Sequence, residues 1–155
     1  MHVVIVAVGK LRSYYRDACD DYLRRLRRYA RVEEREVRET SGPARAVGQR
    51  RDDAALLERV PDEATLVALT RGGSPWTSQE LARRLERWRG AAGPLTLVIG
   101  GSHGLGPGLL EHAGTRWSLG PLTLPHELAR VVAVEQVYRA FTILAGEPYH
   151  KGCEQ

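Results

Sequence analysis

Short apolar runs that alternate with helix-patterned segments constrain this chain more than any other feature. His2–Val8 is a continuous apolar stretch rich in β-branched residues, and Thr65–Thr70 and Leu95–Ile99 repeat the type. Such runs suit strands buried on both faces. Val32–Val37 alternates and predicts a more exposed strand, and Arg116–Leu119 predicts a fifth. Apolar spacing predicts helices over Ser13–Tyr29, Arg45–Val60, Ser78–Arg89 and Pro107–His112. A last helix is expected from near Pro125 to Leu144, with Gly146 and Pro148 stopping it. This alternation implies an α/β fold, a mostly parallel sheet with helices on both faces. The 155 residues fit one domain spanning 1–155, and no repeat, linker or low-complexity stretch divides them.

The last helix adds a constraint of its own. Leu128, Val131, Val132, Val134, Val137, Phe141 and Leu144 are spread around much of its circumference. A helix apolar on several sides needs cover on more than one. The sheet supplies one cover; neighbouring helices or a second subunit supply the other.

No run reaches the ~18 apolar residues of a membrane span. Met1–Val8 lacks a basic leader and reads directly into a strand, so neither a signal peptide nor a membrane partner is expected. Cys19 and Cys153 lie far apart and match neither a disulfide framework nor a metal motif, as in a reduced cytoplasmic protein. The five histidines form no metal-ligand cluster, so no metal is expected. The net charge of +4 permits an anionic partner such as RNA without proving one. Lys10 and Lys151 are the only lysines, so 21 of the 23 basic residues are arginines. Arginine suits phosphate contacts, although a GC-rich genome gives the same bias. Arg24, Arg25, Arg27 and Arg28, and Arg83, Arg84, Arg87 and Arg89, fit solvated helix faces and identify no RNA by themselves.

Glycine-rich loops follow the third, fourth and fifth strands, the carboxyl ends where open α/β sheets bind ligands. The clearest is Gly100-Gly101-Ser102-His103-Gly104-Leu105-Gly106. It lacks the lysine of a phosphate-binding P-loop and the spacing of a dinucleotide loop. Gly100–Gly104 does match G-x-S-x-G, so a serine hydrolase is the rival enzyme. No aspartate follows Ser102, however, so a triad would need Glu111, Glu127 or Glu135 with His126 or His150. A second constellation runs through Leu122-Thr123-Leu124-Pro125-His126, Arg130, Glu135, Tyr138 and Arg139 to Tyr149-His150-Lys151. It reads either as ordinary ion pairs one turn apart or as polar groups kept for function on an apolar helix.

Taken together, Val6–Lys10, Leu69, Ile99–Gly101 with Gly104-Leu105, Leu122–His126, and Glu135–Ala140 leading to Tyr149–Lys151 resemble the RlmH family. Those proteins are the large-subunit ribosomal RNA (pseudouridine-N3-)methyltransferases of the knotted SPOUT superfamily. The resemblance spans essentially the whole chain in the expected order. It implies a C-terminal trefoil knot, a homodimer packed through the knotted regions, and S-adenosyl-L-methionine as cofactor. It implies a pseudouridine in helix 69 of 23S rRNA, within the assembled ribosome, as substrate. The cofactor loops would fall at Leu69, Gly100 and the segment Leu119, Gly120, Pro121, Leu122, Thr123 and Leu124, with Leu69 and Leu124 as apolar walls. The segment Arg71–Ser74 departs from the family's usual Gly-Lys after strand three. Ser102-His103 falls where the family varies, which weakens the nucleophile reading.

The catalytic candidates are His126, Glu135, Arg139, Tyr149 and His150. His150 or Glu135 would relay the N3 proton, Arg139 would steady developing negative charge, and Tyr149 would stack on the base. The tail is expected to meet a cofactor loop of the other subunit. The competing class is a ribosome-binding factor without catalysis.

Overall fold

The structure, a computed structural model, describes residues 1–40, 42 and 44–151. Cys153 and parts of the expected Thr40–Pro43 loop lie outside the described residues. The strands are β1 (His2–Val8), β2 (Arg31–Val37), β3 (Thr65–Pro75), β4 (Leu95–Ile99) and β5 (Thr115–Ser118). The helices are α1 (Ser13–Leu26), α2 (Arg45–Leu57), α3 (Ser78–Trp88), α4 (Pro107–His112) and α5 (His126–Leu144). A short 3-10 turn, Pro148–His150, follows. All strand pairs are parallel, in the order β2-β1-β4-β3-β5.

The period of two along a strand explains why β1 is apolar throughout. Val3, Ile5 and Ala7 enter one core with α1, α3 and α5; Val4, Val6 and Val8 enter the other, with Leu56 of α2 and Leu109 of α4. Both faces are covered, so neither can take polar residues. On the edge, β2 has a covered neighbour on one side only and keeps Glu33, Glu34 and Glu36 half-buried.

β3 is longer than its apolar run predicts. Leu69 and Ser74 both stand opposite Trp117, so residues 70–73 bulge out before Ser74 and Pro75 resume pairing with β5. The bulge needs a residue without a side chain: a Cβ on Gly73 would lie 2.6 Å from the Trp117 carbonyl carbon. Such a device depends on the partner strand, and a period count along β3 alone does not reveal it.

α5 packs on the sheet between α1 and α3. Val131, Val134, Val137 and Phe141 are buried, while Leu128, Val132, Glu135, Gln136, Arg139 and Ile143 form a half-exposed outer stripe at helical spacing. Neighbouring helices therefore cover most of the helix and leave that stripe open. Burial of Phe141 alone is worth about 3–5 kcal/mol against alanine.

Candidate active site

The carboxyl ends of β4, β3 and β5 open into one cleft of about 510 Å³. Parallel strands deliver their following loops to the same edge, which is why three segments distant in sequence meet there. Leu69–Arg71 form one wall, Ile99–Leu105 the floor, and Ser118–His126, without Pro121 and with Ala129, the other wall. Leu69, Gly100, Leu119, Gly120, Leu122, Thr123 and Leu124 all line the cleft, as does His126. Pro121 lies exposed on the same segment without facing it.

The glycine loop is compact. Gly104 adopts φ +69°, and its N–H donates to the Gly101 carbonyl at 3.0 Å. A Cβ on Gly100 would stand 2.7 Å from the Gly104 carbonyl carbon, so only glycine lets the two backbone runs touch. From the other side, residues that the sequence reading did not single out hold this loop. Glu39 accepts hydrogen bonds from the Ser102 N–H at 2.8 Å and from the Ser102 hydroxyl. The hydroxyl bond is the main cause that holds the Glu39 carboxyl below its ordinary value, with His126 and His103 adding to it. Gln49 donates to the His103 carbonyl at 2.6 Å. Asp53, 3% exposed, accepts from the Gly106 and Leu109 N–H groups at 2.9 and 3.1 Å. A carboxylate borrowed from α2 thus caps α4, which has no cap of its own. The available signal was a polar face of α2 at helical spacing, Gln49 and Asp53, which reads as solvent-facing until the loop is placed over it.

Ser102 is therefore engaged with a carboxylate and is exposed. No imidazole bonds to its hydroxyl among the described residues, so the nucleophile–base pair of a serine hydrolase does not form here.

The start of α5 is fixed just as firmly. Arg130 is 1% exposed and donates to Glu36 at 2.6 Å and to the carbonyls of Val8 and Gly9 at 3.1 and 2.7 Å. Buried Glu127 accepts from the Arg12 N–H at 2.7 Å and pairs with its guanidinium at 3.2 Å. These buried charges are paired, as burial requires. They tie His126 to the end of β1. Leu122 by contrast is 76% exposed on the cleft wall, an apolar side chain without protein cover.

The other sequence-predicted residues gather elsewhere. Glu135 accepts from Tyr149 at 3.0 Å, from Arg139 Nε and Nη2 at 3.0 and 2.6 Å, and from Gln136 at 2.7 Å. Arg139 sits 4.8 Å from the Tyr149 ring centroid, and Tyr149 packs edge-on against Tyr138 at 4.7 Å. Burial first, then hydrogen bonds with Tyr22 and Glu135, pushes the Tyr149 phenol well above its ordinary value. The tail is thus docked rather than frayed. His150 and Arg139 line a second hollow of about 630 Å³ with Ser78, Arg83 and Ile143, and the His150 Nδ1 is buried without a hydrogen-bond partner. Glu135 lies nine residues beyond His126, about 14 Å along the helix axis. One chain therefore places His126 at the cleft and the group Glu135, Arg139, Tyr149 and His150 away from it.

Among the described residues no group of three or more His, Cys, Asp or Glu could hold a metal ion, and no helix is long and apolar enough to cross a membrane.

Comparison with known proteins matches this architecture. The family described as "Predicted SPOUT methyltransferase" matches residues 1–150. A protein of Rubrobacter xylanophilus named ribosomal RNA large subunit methyltransferase H is 51% identical over 94% of this chain and 96% of its own length. Proteins of the same name from Gloeobacter violaceus and Stutzerimonas stutzeri are 46% and 40% identical, each matched over its full length and over 98% and 97% of this chain. A solved structure, "a probable methylase family protein" from Haemophilus influenzae Rd KW20, superposes with a TM-score of 0.57 at 13% identity, covering 97% of this chain and 70% of that one, and so shares the fold. With the family match over residues 1–150 and relatives at 40–51% identity, this chain belongs to the SPOUT methyltransferase family, within its ribosomal RNA large subunit methyltransferase H group.

Proposed function

We propose that this protein uses S-adenosyl-L-methionine to methylate N3 of a pseudouridine in helix 69 of 23S ribosomal RNA, on assembled ribosomes in the cytoplasm. The observation that carries the reading is the cleft where three strand-end segments meet, walled by Leu69, Leu119 and Leu124 and floored by glycine backbone. Its volume suits a nucleoside-sized ligand. Exposed backbone amides and carbonyls can read adenine and ribose edges, leucines can cover the ring faces, and the open face of Leu122 marks where further cover is due. The residues present fit the cofactor.

When bound, the cofactor supplies a methyl group already activated by its sulfonium. The chain has to exclude water, align the acceptor nitrogen and receive its proton. Glu135 is the proposed proton acceptor. Arg139 steadies negative charge on the base, Tyr149 offers a ring to stack on, and His150 and His126 help hold or relay the proton. The separation of these groups from the cleft in one chain supports a homodimer in which the tail of one protomer meets the cleft of its partner. The half-exposed stripe on α5, with Leu128, Val132 and Ile143, supports an interface there. The knot also belongs to this reading. After edge strand β5 the chain crosses the carboxyl ends through residues 119–125 before entering α5 over the opposite face from α4. Residues 1–155 act as one domain in this scheme.

The test incubates the purified protein with labelled cofactor and ribosomes lacking the modification, then maps the label. Methyl on N3 of a helix 69 pseudouridine is expected. Binding of ribosomes with no transfer, and no heat on calorimetric titration with the cofactor, would favour the non-catalytic factor.

A further inference from the structure

Ion pairs are unevenly distributed over the two edges of the sheet. At the amino edge, where α1 and α3 end, Arg24 and Arg25 pair with Asp21, Arg31 with Glu33, and Arg89 with Glu86. At the carboxyl edge the carboxylates are already engaged: Glu39 with the glycine loop, Glu36 with Arg130, Glu127 with Arg12. Four cations there have no carboxylate among the described residues: Arg38 after β2, Lys10 after β1, Arg71 in the β3 bulge, and Arg45 at the start of α2. All four are exposed, and Arg45 and Arg71 line the cleft.

Arg45 is the most telling. It occupies the first turn of α2, which holds no acidic residue. The helix macrodipole disfavours a cation at that end, and no carboxylate among the described residues pairs with it to offset the cost. A residue that breaks a local rule without structural reward is expected where function requires it. Sheet order then sets the spacing. From Arg38 to Arg71 the rim runs across β2, β1, β4 and β3, three strand gaps or about 14 Å.

We propose that Arg45 and Arg71, flanked by Lys10 and Arg38, form a cationic rim that grips the phosphodiester backbone on either side of the target nucleotide. This inference rests on the RNA-methylating role and deepens it. The strand would lie along the carboxyl edge, with one base turned toward the mouth of the cofactor cleft. Guanidinium groups suit this task because they bind phosphate in a forked, bidentate manner. The amino edge, which carries the ion pairs of Arg24, Arg25, Arg31 and Arg89 and not the cleft, would face away from the RNA.

The experiment compares Arg45→Gln/Arg71→Gln with Arg27→Gln/Arg87→Gln. The control pair consists of exposed cations at the amino edge that also lack a carboxylate partner among the described residues. Each protein is tested for methyl transfer to unmodified ribosomes across a salt series and for cofactor affinity by calorimetry. The rim variant is expected to lose about tenfold or more in kcat/KM for ribosomes, through KM, with cofactor affinity unchanged. Its log–log salt slope should become shallower by about 1.4 to 1.8, the share of two phosphate contacts. The control should match the parent protein. Equal loss in both variants, or no loss in the rim variant, overturns the proposal. Cofactor affinity falling in step with activity also overturns it, because the arginines would then serve the cofactor's carboxylate. If the parent protein itself transfers no methyl group to ribosomes, the failure lies with the proposed function.

Discussion

The two ends of α5 carry two different kinds of site. At its start, His126 borders a cleft built from backbone and leucine, where the charged neighbours Arg130 and Glu127 are spent on holding strands and loops together. In its second half, Glu135 and Arg139 join Tyr149 in a side-chain network that holds no strand in place. The first design suits recognition of a nucleoside, whose edges are read by amides and whose faces need apolar cover. The second suits handling of a proton or a negative charge, which demands polar side chains in a shielded setting.

That contrast can be broken most directly at Glu135. Glu135→Gln should lower the methyl-transfer rate by about a hundredfold or more, the usual scale for removing a general base, while cofactor affinity stays within about twofold. A single-turnover assay beside calorimetry reads both; loss of cofactor binding in this variant would merge the two sites. Gly100→Ala is the converse case. Its new Cβ meets the Gly104 backbone, so the loop must shift at a cost of about 1–3 kcal/mol. Cofactor affinity should fall about tenfold or more, with the Glu135–Tyr149 network intact, as the unchanged environment of the tyrosine in NMR or ultraviolet titration would show.

A smaller effect sharpens the account of the loop's support. The Glu39 carboxyl is held low by Ser102, so its folded pKa lies below its unfolded one. Its contribution is then present above the unfolded carboxylate value, ~4.3, and is lost as pH falls through the folded value. Urea midpoints of the parent and Glu39→Gln proteins should converge in acid and separate toward neutrality. Parallel curves would show that Glu39 does not support the loop. The smallest effect concerns the buried face of α1. Burial, with Glu34 adding to it, pushes the Cys19 thiol up to about 12. In a Cys153→Ser background it should resist alkylation at pH 8 in the folded protein and react on unfolding, with activity unaltered by the reagent. Rapid labelling of the folded chain would mean that this face opens.

Much of the cleft was legible because glycine and leucine after an apolar strand carry their meaning locally. That holds for the loop Gly100–Gly106; Leu69 and Leu119–Leu124 are marked by the family resemblance, and of these Pro121 does not line the cleft. Glu39, Gln49 and Asp53 could not be marked, since the spacing of Gln49 and Asp53 reads as a solvent-facing helix side and gives no hint that their partners lie more than fifty residues away. The rim arginines were equally hidden. Arg45 looks like any other arginine until the carboxylates of the carboxyl edge are seen to be occupied. Strand three ended early in the sequence reading because its last residues pair across a bulge with β5.

By itself the sequence determined the alternation of strands and helices, the double burial of β1, the span of α5 and the residue types of both sites. These follow from side-chain period and backbone freedom, which act over a few residues. Only the tertiary structure decided the order β2-β1-β4-β3-β5, which arginines find carboxylate partners, and that His126 and Glu135 stand apart on one helix. Those outcomes depend on which distant segments share a neighbour, and no local energy term contains that information.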